Sequence, residues 1–401
     1  GFALAVSYPR AGNLAGGGFM LIHLAEENRQ TLIDYRETAP AAATRDLFLN
    51  DEGEVDRMRE FFSHQSAGTP GTVAGLVYAQ EKYGTLPLAE VVAPAIELAE
   101  KGFEVSFALN YEINARAERL RMNPEALRLF FKPDGDLYEV GETFRQPDLA
   151  WTLRQIADRG KAGFYQGEVA QRIVAEMEAG DGLITLDDLA DYTVVERTPI
   201  RGTFRDYEIV STPPPSSGGL HIIQILNMLE PYDLKGMGHN SAAYLHHLAE
   251  SMKRAYADRA RFLGDPDFVD IPVSALTDKA YALLEDKLVS LELVPGQLYS
   301  EAELSAIIAL GRTPMREALL RLAKEKLVEM IPRRGVRICE IDLTNHIALL
   351  ETRKALDVLI ATRAAKRVNQ QQRDTLRAYS EIMLKAAANN DVETYLDICL
   401  L

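Results

Sequence analysis

A chain of 401 residues, 47% of them apolar, exceeds one ordinary core and suits two or three soluble domains. Its apolar runs fall well short of the roughly 18 residues a membrane-spanning helix needs. The opening "GFALAVSYPR" has neither a basic n-region nor a cleavage site and reads as mid-domain sequence. Two cysteines, Cys339 and Cys399, are too few and too distant for a disulfide framework or a zinc cluster, so no metal or cofactor is expected and the redox compartment stays open. The net charge of −15 is uneven: the first 280 residues hold 27 basic and 42 acidic side chains, whereas residues 281–401 hold 17 of each. An acidic front half repels nucleic acid at long range. Within the neutral half, Leu310 to Arg337 carries eight basic residues against three acidic ones, and a polyanion would be met there.

Early in the chain, "FMLIHL" and "TLIDYR" flank the polar turn "AEENRQ" and predict a β-hairpin. The glycines Gly16 to Gly18 precede a strand, not a helix, and no Lys-Ser/Thr follows. They fit a close backbone approach beside the sheet better than a phosphate loop. Next, "TPGTVAGLVYAQEKYG", "PLAEVVAPAIELAEKG", "PDLAWTLRQIADRG" and "GEVAQRIVAEMEAG" place apolar residues at 3–4 spacing and end at Gly, which predicts four helices. In "DYEIVSTPPPSSGGLHIIQILNMLE" a strand runs through a Pro-rich bend into a helix, with Ser216 or Ser217 available as its cap. A nucleophilic serine there would lack a GxSxG setting and a recognisable His/Asp pair. His246 and His247 are adjacent, so they point to different helix faces, and no HExxH occurs.

Taken together, "AGNLAGGGFMLI", "DYRETAPAAATRDLFL", "SAGTPGTVAG", "KYGTLPLAEVVAPAIELAEKGF", "GLITLDDLADYTVVERTPIRGTFRDYEIVSTPPPSSGGLHIIQILN", "YADRARFLGDPDF" and "ALTDKAYA" resemble the gamma-glutamyltransferase (glutathione hydrolase) family, in its large subunit. The resemblance covers Gly1 to about Ala282. It implies part of an N-terminal-nucleophile hydrolase αββα sandwich, made by self-cleavage of a precursor. The implied activity is transfer of the gamma-glutamyl group of glutathione to water or an amine through a threonine at the start of the small subunit. Arg36 of "DYRETAP" matches the arginine that grips the glutamyl α-carboxylate, a task suited to a guanidinium that can bind bidentately. Read without the resemblance, an ion pair of Arg36 with a neighbour such as Asp34 or Glu37 is the favoured reading, because exposed ion pairs are commonplace, and the resemblance reverses that preference. The Thr-Thr-His motif, whose threonine uses its own amino group as base, does not occur in the 401 residues. Nor does the Gly-Gly oxyanion segment, so no catalytic residue is assigned and a missing small subunit is the expected partner.

Beyond Tyr281 the pattern changes. "LLEDKLVSLEL" predicts a helix with Leu284, Leu288 and Leu291 on one face, stopped at Pro295 and Gly296. Two short helices follow, separated near "ALG". In the second, Met315, Ala318, Leu319, Leu322 and Ala323 form an apolar stripe, while Arg312 and Arg316 share another face. Two strands around "PRRG" then predict a basic hairpin. Helix, helix-turn-helix and hairpin are the elements of a winged helix, whose second helix enters the major groove.

The residues "VPGQLYSEAELS", "GRTPMREALLRLAKEKLVEMIPRRGVRI" and "LLETRKALD" resemble the GntR family of bacterial regulators, in the subgroup with an all-helical FCD effector domain. That resemblance implies DNA contacts from Arg312, Thr313 and Arg316 on the recognition helix and from Arg334 and Gly335 at the wing tip. Three positions depart from the family: Gly311 replaces a Ser or Thr, Ala302 a DNA-contacting Arg, and Lys326 a Gly. The effector domain normally binds a small acid, often through a metal, and supports a homodimer. Here only His346 lies beyond Ala280 as a histidine ligand, and Asp397 has no clear match.

The expected fold is therefore multidomain α/β: residues 1–281 transferase-like, 282–340 a winged helix-turn-helix, and 341–401 a partial FCD-like helical domain. Three functions remain open. The chain is an enzyme fragment that binds gamma-glutamyl compounds through Arg36, a DNA-binding regulator with a passive acidic module, or a non-functional join. The two families normally work on opposite sides of a membrane, which leaves the compartment undetermined.

Overall fold

The computed structural model describes residues 1–310, 312–332, 334–340, 354, 358, 362 and 370–388. It divides into two units, Gly1–Pro199 and Ile200–Leu401. In the first, strands β1 (Phe19–Leu24) and β2 (Arg29–Asp34) form the hairpin, with Phe19 opposite Asp34 and Leu24 opposite Arg29. Strand β3 (Val195–Arg197) pairs antiparallel with the other edge of β2, Leu32 facing Arg197 and Asp34 facing Val195. Strand β2 starts and stops two residues earlier than "TLIDYR" suggests. Tyr35 still exchanges two backbone hydrogen bonds with Gly18. The Arg36 N–H, however, turns to the Asp34 carboxylate at 3.1 Å, and the ladder ends there.

The four predicted helices are present as α1 (Thr72–Tyr83), α2 (Leu88–Lys101), α3 (Pro147–Arg159) and α4 (Gly167–Ala179). Their apolar positions meet in one core: Val73 and Val77 from α1, Val92 and Ala99 from α2, Leu153 and Ile156 from α3, Val169 and Ala170 from α4. The 3–4 spacing thus becomes a packed stripe on each helix.

The second unit begins with a hairpin, β4 (Ile200–Phe204) and β5 (Tyr207–Ser211), against which helix α5 (Ser217–Leu229) packs. Ser216 caps α5, its Oγ accepting the Gly218 N–H at 3.2 Å, so the serine has the structural role open to it in the sequence. Helix α6 (Ala242–Phe262) packs on α5.

Helix α7 (Lys279–Val289) runs unbroken through the point where the sequence pattern changes. The Asp278 carboxylate caps it, accepting the N–H groups of Ala280 at 2.8 Å and Tyr281 at 3.3 Å. The helix ends sooner than expected. Leu291 adopts φ +61° and is 54% exposed, while Leu293, 2% exposed, fills the core position instead. The cause is a reversal after Ser290, in which the Leu293 N–H bonds back to the Lys287 carbonyl at 3.0 Å.

Next come β6 (Leu298–Tyr299), α8 (Glu301–Ile308), α9 (Arg312–Lys324), β7 (Val328–Ile331) and β8 (Gly335–Ile338), with β8 central in an antiparallel sheet of order β6-β8-β7. A capping box opens α8: Ser300 Oγ accepts the Glu303 N–H at 3.1 Å, and Glu303 accepts the Ser300 N–H at 2.7 Å. Leu304, Ile308, Met315, Leu319, Leu322, Val328 and Val336 share one core. Helix α10 (Gln370–Ala388) covers the predicted "QRDTLRAYSEIMLKAAANN" segment as far as Ala388, and its last two residues lie outside the described ones. Of the other expected effector-domain positions, His346 and Asp397 lie outside the described residues, as do Gly311 and Cys399. Among the described residues no helix is long and apolar enough to cross a membrane.

Helix α9 ends in a paired cap in which the Lys326 N–H bonds to Ala323 O at 3.1 Å and the Leu327 N–H to Leu322 O at 3.0 Å. Lys326 is therefore the left-handed residue of a Schellman motif, at φ +62°. A β-carbon is strained there. Lys326→Gly is expected to raise stability by roughly 0.5–1 kcal/mol, the relieved strain less glycine's own entropy, measured by urea unfolding.

Candidate functional site

Arg36 sits just past β2 and is exposed. Three contacts fix the backbone that carries it. Its N–H donates to Asp34, its carbonyl accepts from the Tyr192 hydroxyl at 2.8 Å, and the preceding Tyr35 is paired to Gly18. Two glycines of "TPGTVAG" let helix α1 close over this segment. A β-carbon at Gly71 would fall 2.0 Å from the Tyr35 carbonyl oxygen, and one at Gly75 would fall 2.2 Å from the Tyr35 ring. The Gly16 carbonyl accepts the N–H groups of Gly71 and Thr72 at 2.8 and 2.9 Å. The early glycine run thus serves a close backbone approach at the start of α1.

The tyrosines around Arg36 are held protonated. Burial raises the pKa of Tyr35, and burial together with Tyr165, Asp34 and Glu37 raises that of Tyr192. Tyr192 stacks on Tyr165 with ring centroids 5.7 Å apart. Tyr165 in turn donates to the Pro70 carbonyl at 2.7 Å. A neutral Tyr192 hydroxyl donates to the Arg36 carbonyl and so ties the loop backbone to the Tyr192 ring.

The pairing partners differ from those the sequence offered. Asp34, 6% exposed, is engaged by Arg197 of β3 at 2.7 Å. Among the described residues no carboxylate lies within ion-pair distance of Arg36. Its guanidinium instead stands 5.8 Å from the centroid of the Phe19 ring. Arg197, Tyr192 and Gly71 were not singled out from sequence. Gly71 lies in the quoted "TPGTVAG", and Tyr192 and Arg197 lie in the quoted "GLITLDDLADYTVVERTPIRG" segment.

The second group of candidates lies on α9 and the β7–β8 hairpin. Arg312 and Thr313 occupy the first turn of α9, and their side chains lie outside the described positions. Arg316 is exposed, while Met315, Ala318, Leu319 and Leu322 are at most 1% exposed. Arg334 is exposed in the hairpin turn, its N–H bonded to Ile331 O at 3.0 Å, and Gly335 opens β8 at φ +121°. Ala302 is exposed in the first turn of α8. Two basic residues of this stretch are already used: Arg337 faces Glu329 at 3.4 Å, and Arg321 lies 3.5 Å over the Tyr281 ring while pairing with Glu325 at 3.1 Å. Among the described residues Arg316, Lys324, Lys326 and Arg334 remain exposed without an ion pair.

The fold of the front of the chain matches solved gamma-glutamyltranspeptidases and, with them, the N-terminal-nucleophile hydrolase fold. Residues 1–306 match the family described as Gamma-glutamyltranspeptidase, and the chain belongs to that family. Residues 276–338 match a second family, bacterial regulatory proteins of the gntR family, so the two matches overlap across α7. The glutathione hydrolase proenzyme of Escherichia coli (strain K12) is 51% identical over 282 residues, 70% of this chain and 48% of that protein. Its counterpart in Pseudomonas sp. (strain A14) is 46% identical over 285 residues, 70% of this chain and 49% of that protein. Helicobacter pylori gamma-glutamyltranspeptidase superposes with a TM-score of 0.70 at 44% identity, over 71% of this chain and 82% of that one. The chain thus spans about half the length of the curated relatives it matches.

The Asp34–Arg197 pair, with its carboxylate buried and its guanidinium mostly so, supports the sheet end on which Arg36 stands. Removing one partner of a buried pair leaves the other uncompensated. Arg197→Gln is expected to lower unfolding stability by about 3 kcal/mol, read by denaturant titration.

Proposed function

We propose that residues 1–281 are the large-subunit part of a gamma-glutamyl-transferring enzyme, with Arg36 as the holder of the substrate's α-carboxylate. The observation that carries this reading is the redirected ion pair. Arg197 takes Asp34, the Arg36 backbone is pinned on both sides, and its guanidinium is left to an incoming carboxylate. Two parallel N–H donors gripping the α-carboxylate would fix the far end of glutathione or another gamma-glutamyl compound and so place its gamma-carbonyl. Chemistry at that carbonyl needs an activated nucleophile and an oxyanion site, and neither motif occurs in the 401 residues. Arg36 then binds, and turnover awaits a separately supplied threonine-bearing small subunit. Purified chain is expected to release no aniline from a gamma-glutamyl anilide, while Arg36→Ala weakens calorimetric binding of that compound about tenfold or more. Release of aniline well above the Arg36→Ala level would overturn the inactive-alone reading.

A second reading concerns residues 282–340, as a winged helix-turn-helix followed by a partial FCD-like segment at 341–401. It is supported by the gntR-family match and by Arg316 and Arg334 on helix α9 and the hairpin turn, both exposed and without an ion pair among the described residues. In this reading Arg312, Thr313 and Arg316 of α9 meet base edges or phosphates in the major groove, and Arg334 with Gly335 meets the backbone beside it. Binding to duplex DNA is expected to fall linearly in log salt. Arg334→Ala, as a phosphate contact, is expected to reduce that slope by about 1. A mobility shift unaffected by either Arg312→Ala or Arg316→Ala would remove α9 as the reading helix.

A further inference from the structure

Three helices of the second unit each turn a charged or hydroxyl pair, spaced four residues apart, toward one cavity of about 250 Å³. Helix α6 presents Arg254 and Asp258, α7 presents Tyr281 and Glu285, and α9 presents Arg321 and Glu325. Four-residue spacing is what places two side chains on one helical face. Arg261, one turn beyond Asp258, lines the same space. None of these residues belongs to the Arg36 segment, and none is among the candidate DNA contacts.

Two ion pairs that reach across this cavity are loose, although Asp258 also accepts a hydrogen bond from the Gln224 side-chain amide. Arg254 stands 3.6 Å from Glu285, and Arg321 stands 3.7 Å from Asp258. Both distances exceed the 2.7–2.9 Å or so of a charge-assisted hydrogen bond. By contrast, the Tyr281 hydroxyl donates to Glu325 at 2.6 Å, and the Arg321 Nε reaches Glu325 at 3.1 Å, so the α7–α9 side is tightly made. Arg261 has no carboxylate partner among the described residues and stands over the Phe262 ring at 5.0 Å. Donors on Arg254 and Arg261 are therefore unspent, and so is acceptor capacity on Glu285.

We propose that this cavity is a binding site for a small zwitterionic amino acid. Its carboxylate would be received by Arg254 and Arg261, and its ammonium by Asp258 and Glu285. The presence of both signs selects the ligand class: a simple anion would meet the two carboxylates, and a simple amine the two guanidiniums, each a like-charge juxtaposition. A volume of about 250 Å³ is room enough for a small amino acid. Burial, its largest influence, raises the Glu285 pKa despite the nearby Arg254 and Arg321. An arriving ammonium would supply the missing compensation.

The test is isothermal titration of the full chain, in an Arg36→Ala background so that heat cannot come from that guanidinium. The common L-amino acids are titrated one at a time, each beside its amine-only and carboxylate-only analogues, as with L-serine, ethanolamine and 3-hydroxypropionate. At least one amino acid is expected to bind, with both single-charge analogues about tenfold weaker or worse. Arg261→Gln and Asp258→Asn are each expected to weaken it about tenfold as well. Arg261 makes no ion pair among the described residues, so its variant reports on the site with little risk to folding, and melting curves check both variants. No binding at millimolar concentration, equal binding of a single-charge analogue, or binding intact in the folded Arg261→Gln variant would each overturn the proposal.

Discussion

Helix α7 has to satisfy two packing demands within eleven residues. At 3.6 residues per turn, Ala280 and Leu284 fall on one face and Ala282 on the opposite one. The first face, with Tyr281, enters the core that includes Leu304, Met315 and Leu319, whereas Ala282 meets Met228 and Ala255 of the preceding helices. Burying Leu284 completely contributes about 1.5–3 kcal/mol. This one helix therefore connects residues typical of two families without a flexible linker. The overlap of the two family matches at 276–306 falls on the same stretch.

Arg36 is governed by a different constraint, the competition between two arginines for one buried carboxylate. Asp34 faces the β3 ladder, where Arg197 arrives from a strand more than 160 residues away in sequence. Proximity in sequence favours Arg36 as the partner. Sheet pairing favours Arg197, and the 2.7 Å contact shows which prevails. Arg36 is thus left without an ion pair, among the described residues, by a long-range strand pairing. The glycines of "TPGTVAG" hold the loop close enough for Tyr192 to complete the arrangement.

Much of this was legible locally. The hairpin, the four Gly-terminated helices, the Ser216 cap and the apolar stripe of α9 all follow from period, capping and breaker signals that act over a few residues. Where the local signal was ambiguous, tertiary contacts decided. Leu291 continues the apolar spacing of α7, but the chain reverses after Ser290 and Leu293 takes the buried place. Strand β2 ends at Asp34 because a side-chain acceptor captures the Arg36 N–H. The Asp34–Arg197 pair and the three-helix cavity lay beyond local reading, since each joins residues from distant elements. Lys326 shows the reverse case: the departure from a family glycine was visible in the sequence, and its left-handed conformation gives that departure a physical cost.

Native-state hydrogen exchange of the full chain tests the shared role of α7 most directly. If α7 ties its two packing partners together, amides at Ala255 in α6, Leu284 in α7 and Leu319 in α9 should open with a single free energy and a common denaturant dependence. Opening of Leu319 well below Ala255, with α7 following only one of them, would contradict a continuous core across the join.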